Sequence, residues 1–317
     1  MPSSSSAHPV RAGARRLLRA ALPLPLRKRL AVWAARAGGA RGEWWSAELV
    51  RDLAERDANA YHRFLWANHL AYARSYEPAG RFGPDRVHPS RRLLFADLLR
   101  VAGARRVDVG SVLEVGCSLG YLLRHLETEV FPGARVLDGI DIDGYAVARG
   151  RALLAGEGSK ARLATADAAG LAGVFGGRRY DLVLCAGVLM YLRQEDAAEA
   201  VRAMLARCDG IVALAGLAHP EMDNAGMRRS VARERDATWM HDLDAMVAAA
   251  GGRVAARRWE GARQVDGNTL YFVFAEPAGR GTGRVPLPPL GAAGGFADTA
   301  AGASSVPTAG MAREAAR

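Results

Sequence analysis

Cysteine is scarce in this chain. Its 317 residues hold three, Cys117, Cys185 and Cys208, dispersed and without a Cys-x-x-Cys pair. An odd, scattered set excludes a disulfide framework and a structural zinc site, so no metal is expected, and it fits a reducing, cytoplasmic compartment. Long apolar runs are absent as well: half of the residues are apolar, yet no stretch of eighteen is free of charge. A membrane-spanning helix is therefore not expected. Lysine is almost missing, with only Lys28 and Lys160. The abundance of arginine and alanine in its place reflects a GC-rich coding composition.

Acidic residues are missing from one place in particular. Residues 1–42 carry eight arginines and Lys28 with no carboxylate, so they hold +9 of the net +10, and residues 279–317 hold +2. That leaves −1 for residues 43–278, and a nearly neutral body has no broad basic face for a phosphate backbone. Nucleic acid is thus not an expected partner. Residues 1–42 read as a basic mobile arm, with two short amphipathic pieces flanking Pro23 and Pro25. Residues 10–36 are the part that would touch an anionic membrane surface, if any does. Past Pro277 the Gly, Ala, Pro and Thr content lacks periodicity, and residues 278–317 are expected to be a disordered tail.

What the chain does contain is organised around Ser111–Glu127, SVLEVGCSLGYLLRHLE. Val112-Leu-Glu-Val115 reads as a buried strand, Gly116 and Gly120 bracket a turn, and Leu122, Leu123 and Leu126 follow at helical spacing. Strand, glycine turn and helix form the opening unit of a doubly wound α/β sheet, which brings ligands to the carboxyl ends of its strands. A dinucleotide fingerprint needs Gly-x-Gly-x-x-Gly, and the middle glycine is absent here. Gly116-Cys-Ser-Leu-Gly120 also satisfies the Gly-x-Ser-x-Gly elbow of α/β-hydrolases, with Ser118 as nucleophile and His219 or His241 downstream. Against it, residues 43–110 read as helical and supply neither the earlier strands nor a glycine-rich oxyanion loop.

The run V-L-E-V-G-C-S-L-G resembles the first motif of class I S-adenosylmethionine (SAM)-dependent methyltransferases, and the resemblance continues through residues 104–277. It implies a seven-stranded, mostly parallel Rossmann-like sheet. It further implies SAM as cofactor and S-adenosylhomocysteine as product. Residues carried over to the cofactor are Glu114, Gly116, Cys117 and Gly120 in the turn, and Asp141 with Ile142 after the second strand, for the ribose hydroxyls. Asp167 and Ala168 after the third strand would meet the adenine, and Ala186 ends the fourth. Asp143 competes with Asp141 for the ribose. Residues 43–103 read as a helical extension. Its stripe Leu65, His69, Tyr72 and Tyr76 either packs on the sheet domain or forms a lid, and Tyr191 lies in the segment after the fourth strand.

Methyl transfer from a sulfonium needs alignment more than acid–base work, and a base only where the acceptor carries a proton. His241 and His219 are the candidate bases, with Glu221 and Asp223 nearby; Trp239 beside His241 implies an enclosed setting. Asp223-Asn224 hints at metal ligands, but no Asp ends the fourth strand to complete them. The segment after that strand, Ala186-Gly-Val-Leu189, lacks the Asn/Asp-Pro-Pro-aromatic of exocyclic-amine enzymes, the Pro-Cys of cytosine enzymes and the paired glutamates of protein-arginine enzymes. A small molecule or glycan, methylated on oxygen, is the acceptor class that remains. A methyltransferase-like binding module without catalysis is the other reading.

Overall fold

The computed structural model describes residues 21–37, 39–70, 87–233, 238–279 and 283–290. Among the described residues the first three helices, α1 (Leu24–Ala37), α2 (Gly39–Arg56) and α3 (Ala58–Ala67), form a small unit of their own. Ala31, Leu49, Val50, Leu53, Tyr61 and Phe64 make its core. Buried Arg27 pins α1 to α2 through Asp52, at 2.6 and 3.1 Å. Pro23 and Pro25 do not split a mobile arm here. Proline is tolerated in a first helical turn, and α1 begins between them. The arm expected over 1–42 therefore holds a packed helix from Leu24 on.

Helix α4 (Pro89–Arg105) leads into β1 (Ser111–Val115), and strands and helices then alternate. A five-residue helix, α5 (Tyr121–His125), runs on as a π-helical turn, Leu126–Val130. There follow β2 (Val136–Asp141), α6 (Gly144–Gly156), β3 (Arg162–Thr165), β4 (Tyr180–Ala186), α7 (Gln194–Ala206) and β5 (Cys208–Gly216). A two-stranded ribbon, β6 (Val231–Ala232) with β7 (Trp239–Met240), precedes α8 (Leu243–Ala249). Helix α8 begins at Leu243, where Asp242 caps it by accepting from Ala245 N–H.

The chain closes with the hairpin β8 (Gly252–Val265) and β9 (Asn268–Pro277), turned at Asp266-Gly267, where both residues take positive φ as a two-residue hairpin turn requires. The sheet order is β3-β2-β1-β4-β5-β9-β8. Pairing is parallel except at β5–β9 and β8–β9. Parallel strands are covered on both faces, and the residue alternation shows it. Val112, Leu182, Leu184, Ile211 and Ala213 pack under α4, α5 and α6. Leu113, Val115, Val183, Cys185, Val212 and Leu214 pack under α7 and α8.

Two buried polar clusters lock the layers. Asp138 accepts from Arg162 Nε and Nη2, both at 2.8 Å, and from Tyr180 O–H at 2.7 Å, joining β2, β3 and β4. Asp97 on α4 takes a two-pronged contact from Arg258 on β8, at 2.6 and 2.8 Å, with both side chains buried. Part of the expected tail also belongs to the fold. Residues 283–290 lie along β8: Val285 N–H donates to Ala255 O and Arg258 Nη2 to Pro288 O, while Val285, Leu287 and Leu290 pack on the core. Disorder is thus not the state of residues 283–290.

Removing one partner of a buried ion pair strands the other charge, at about 3–5 kcal/mol. Asp97→Ala is expected to destabilise by that order in urea unfolding. Arg258 Nη1 also pairs with Glu260 at 2.8 Å, so the triple variant Asp97→Leu/Arg258→Met/Glu260→Gln, which leaves none of these charges behind, is expected to recover most of the loss.

Candidate functional site

The carboxyl ends of β1, β2, β3 and β4 meet at one edge, and the loops leaving them are tied together. Gly116 N–H and Cys117 N–H both donate to Ile140 O, at 2.8 and 2.9 Å, fastening the turn after β1 to the end of β2. Gly116 sits at φ +84°, and a Cβ there would stand 2.0 Å from Val188 Cγ2. Only glycine lets the turn pass beneath the segment after β4. Ser118, at φ +49°, turns its N–H onto Asp141 Oδ2 at 2.7 Å, while Asp141 Oδ1 accepts from Asp143 N–H at 2.8 Å. Ala166 N–H reaches Asp141 O at 2.9 Å, bringing the end of β3 to the same point.

Carboxylates line this edge. Glu114 is buried in β1, and its Oε2 has no hydrogen-bond partner among the described residues. Burial, with the Asp141 charge adding to it, pushes its carboxyl up to about 8; the Arg91 charge opposes. Burial also raises Asp141, against the two N–H groups that hold its charge. Asp143 caps α6 by accepting from Ala146 N–H at 3.0 Å. Asp167 caps the 3₁₀ turn Ala168–Gly177 by accepting from Ala169 N–H at 3.3 Å. Ile142, Ala168 and Ala186 are half-buried along the same rim.

Helix α3 and the residues just after it cross over this rim from end to end. Asn59 Nδ2 donates to Asp196 Oδ2 at 2.8 Å, and Arg63 forms an ion pair with Asp167. His62 and Trp66 lay their rings 5.0 and 5.2 Å from that of Tyr191, after β4. His69, itself at φ +56°, places Nδ1 2.6 Å from Asp143 Oδ2 and its ring 4.4 Å from Tyr145. The extension thus touches the loops after β2, β3 and β4. Tyr72 and Tyr76 lie outside the described residues. From below, Arg91 on α4 brings Nη2 to 2.7 Å of the point a Cβ on Gly187 would occupy, and its charge bears on Glu114.

Three expected site residues are placed otherwise. The Cys117 thiol is buried against Gly139 and Leu123, and its own N–H and carbonyl are committed to Ile140 O and Gly120 N–H. It builds the turn from inside and has no group left for a ligand. His241, expected as a base, is buried and bridged: Nε2–H donates to Leu189 O at 2.9 Å, and Nδ1 accepts from Ser230 O–H at 2.6 Å. Burial lowers its pKa, and neither nitrogen is open to a substrate. His219 Nδ1 accepts from Glu221 and Met222 N–H, closing its own loop.

Nearby, Asp223 pairs with Arg257, and Asn224 is saturated by His219 N–H, Trp259 Nε1–H and the carbonyls of Leu217 and His241. The hydrolase reading fails on the same observations. Neither downstream histidine is presented to Ser118, and the strand order is not that of a sheet with strands ahead of the elbow. Residues missed from sequence are Arg91, Asn59, His62, Arg63 and Trp66. His62 and Trp66, with His69 a turn on, had a legible signal in their three- and four-residue spacing, which the stripe chosen from Leu65 did not use.

SAM is a sulfonium with an ammonium, a carboxylate and a ribose, and the residues present fit it. Glu114 is a buried acceptor in need of a donor, Asp141 keeps a second lone pair on each oxygen for hydroxyls, and Arg91 is the cation for a carboxylate.

Two pH effects follow. Glu114 holds its proton in the folded chain up to about 8 but only to about 4.5 when unfolded, so folding stability falls as pH rises between those values. Glu114→Gln is expected to melt above wild type at pH 8, with the gap closing toward pH 5, in thermal melts of the ligand-free protein. His241 has the opposite sense: its folded pKa lies below the ordinary 6.5, so stability is lost as pH falls below that value. His241→Gln is expected to flatten the acid side of the stability profile in urea titrations.

Residues 112–209, about a third of the chain, match the sequence model of a methyltransferase domain. A search of the curated proteins found no significant match. Among solved structures, the chain is similar to magnesium protoporphyrin IX methyltransferase from Synechocystis with bound S-adenosylhomocysteine (16% identity, 70% of this chain and 100% of that one, TM-score 0.49). It is also similar to a SAM-bound amino pentose methyltransferase from Micromonospora echinaspora (24%, 57% and 89%, 0.42). A third is the CcbJ methyltransferase from Streptomyces caelestis (16%, 66% and 96%, 0.47). The domain match runs from β1 into β5, across the glycine turn and the carboxylates that follow β2 and β3, so residues 112–209 carry a methyltransferase domain.

Proposed function

We propose that this enzyme moves the methyl group of SAM to a hydroxyl of a small organic acceptor, a glycan included. The observation that carries the reading is the aromatic cluster His62, Trp66 and Tyr191, which α3 closes over the end of β4, beside the cofactor edge. Flat rings at 5.0 and 5.2 Å make a wall for a ring-sized acceptor. A helix laid over the rim by Asn59, Arg63 and His69 leaves little width for a duplex or a folded protein segment.

SAM supplies an activated methyl group whose departure needs no acid. The chain's own residues orient the partners and exclude water. Glu114, Asp141, Asp167 and Arg91 hold the cofactor, Gly116 admits it, and Ile142, Ala168 and Ala186 line its rim. Holding acceptor oxygen and methyl carbon in line supplies most of the rate enhancement. The acceptor's proton leaves at the α3 side, where His62 and His69 lie against the loops of the rim; His241 is bonded at both ring nitrogens, and His219 at Nδ1.

Calorimetry with SAM and then S-adenosylhomocysteine, followed by methyl transfer from radiolabelled SAM to panels of phenols, sugars and amines, tests this. Expected are heat with both adenosyl compounds, loss of that heat in Asp141→Ala and Arg91→Ala, and label on an oxygen. Trp66→Ala is expected to raise acceptor KM about tenfold with SAM affinity unchanged, the size of a lost aromatic contact. Absence of heat removes the cofactor assignment; label on nitrogen removes the hydroxyl.

A further inference from the structure

The outward face of α1 is unlike the rest of the described surface. Its inner side, Arg27, Ala31, Ala34 and Ala35, is buried in the helical unit. Opposite lie Leu26, Leu30 and Trp33, spaced by four and three residues so that they stack on one stripe. They are 41%, 36% and 69% exposed, and Trp33 is the most exposed large apolar side chain among the described residues. Arg29 and Arg36 flank the stripe and are exposed too. No carboxylate occurs in residues 1–42, and residues 1–20 add Arg11, Arg15, Arg16 and Arg19.

We propose that this stripe docks on an anionic lipid bilayer, with Leu26, Leu30 and Trp33 entering the interface and Arg29 and Arg36 lying against the headgroups. An amphipathic helix with basic flanks lies in the plane of such a surface, and tryptophan settles at headgroup depth. Charge decides against the other occupants. A second copy would bring an identical all-cationic helix to the same face, and residues 1–20 are cationic as well. Three part-exposed side chains also fall well short of the about 800 Å² per partner of a stable protein interface. A negatively charged bilayer complements the arginines and accepts a narrow apolar stripe without needing a matching shape.

The position of the stripe gives docking a consequence for the site. Helix α1 packs on α2 and α2 on α3, and Lys28 of α1 lies over the Phe64 ring of α3, at 5.3 Å. A bilayer beneath α1 therefore holds the base of the helix that crosses the cofactor rim. An acceptor dissolved in or anchored to the lipid would be delivered to that side.

Co-sedimentation of the full chain with phosphatidylcholine vesicles, with and without phosphatidylglycerol, tests the surface. Expected is binding only with phosphatidylglycerol, weakened at least tenfold by raised salt and by either Leu30→Ser/Trp33→Ser or Arg29→Glu/Arg36→Glu. Each variant should keep wild-type heat with SAM, since none of these residues touches the cofactor edge. Absence of binding to anionic vesicles overturns the proposal. Equal binding by Leu30→Ser/Trp33→Ser overturns it as well, assigning the contact to other basic residues. A dimer in light scattering that Trp33→Ser dissolves also overturns it, in favour of a second copy.

Discussion

Everything at the cofactor edge depends on where the Asp141 carboxylate spends its lone pairs. One oxygen holds the turn after β1 through Ser118 N–H, and the other holds the turn after β2 through Asp143 N–H. Two loops from neighbouring parallel strands are thereby locked at one height, and Asp143 is free to cap α6 and meet His69. A carboxylate accepting charge-assisted bonds from main-chain N–H is among the stiffer connections a protein has. The cost is a buried negative charge, which burial pushes toward protonation and which in turn raises Glu114. A cation held nearby would offset that cost.

The second organising feature is the helical unit at the amino end. Its core is separate from the two cores of the sheet, and it meets the sheet domain through polar and aromatic contacts at the rim: Asn59, His62, Arg63, Trp66 and His69. A part-exposed ion pair such as Arg63–Asp167 and single tilted ring contacts are individually weak. Such a cover holds its position without being fused to the sheet.

The hydrophobic pattern and the motif spacing made the sheet legible. Val112, Leu113 and Val115 around Glu114, and Leu182–Ala186, are apolar because these strands are buried on both faces. The first strand, read as Val112–Val115, agrees with β1 to within one residue. Legibility failed where main-chain bonding or packing overrides pattern. Trp239-Met240 pairs with Val231-Ala232 as a ribbon that no alternating pattern announces. Residues 283–290 look like tail but find apolar company on α4 and β8.

Sequence by itself determined the winding of the chain and the glycine turn, because those follow from local spacing and from the narrow stereochemistry of the turn; the aspartates after β2 and β3 were implied by the resemblance of the motifs. The tertiary structure alone decided which side chains share that edge. Arg91 reaches Gly187, and His62 reaches Tyr191, across separations of about a hundred residues or more that no local pattern encodes. It also decided what His241 and Cys117 are for. Residue type marks both as chemical, but burial and fully committed hydrogen-bonding groups make them parts of the frame.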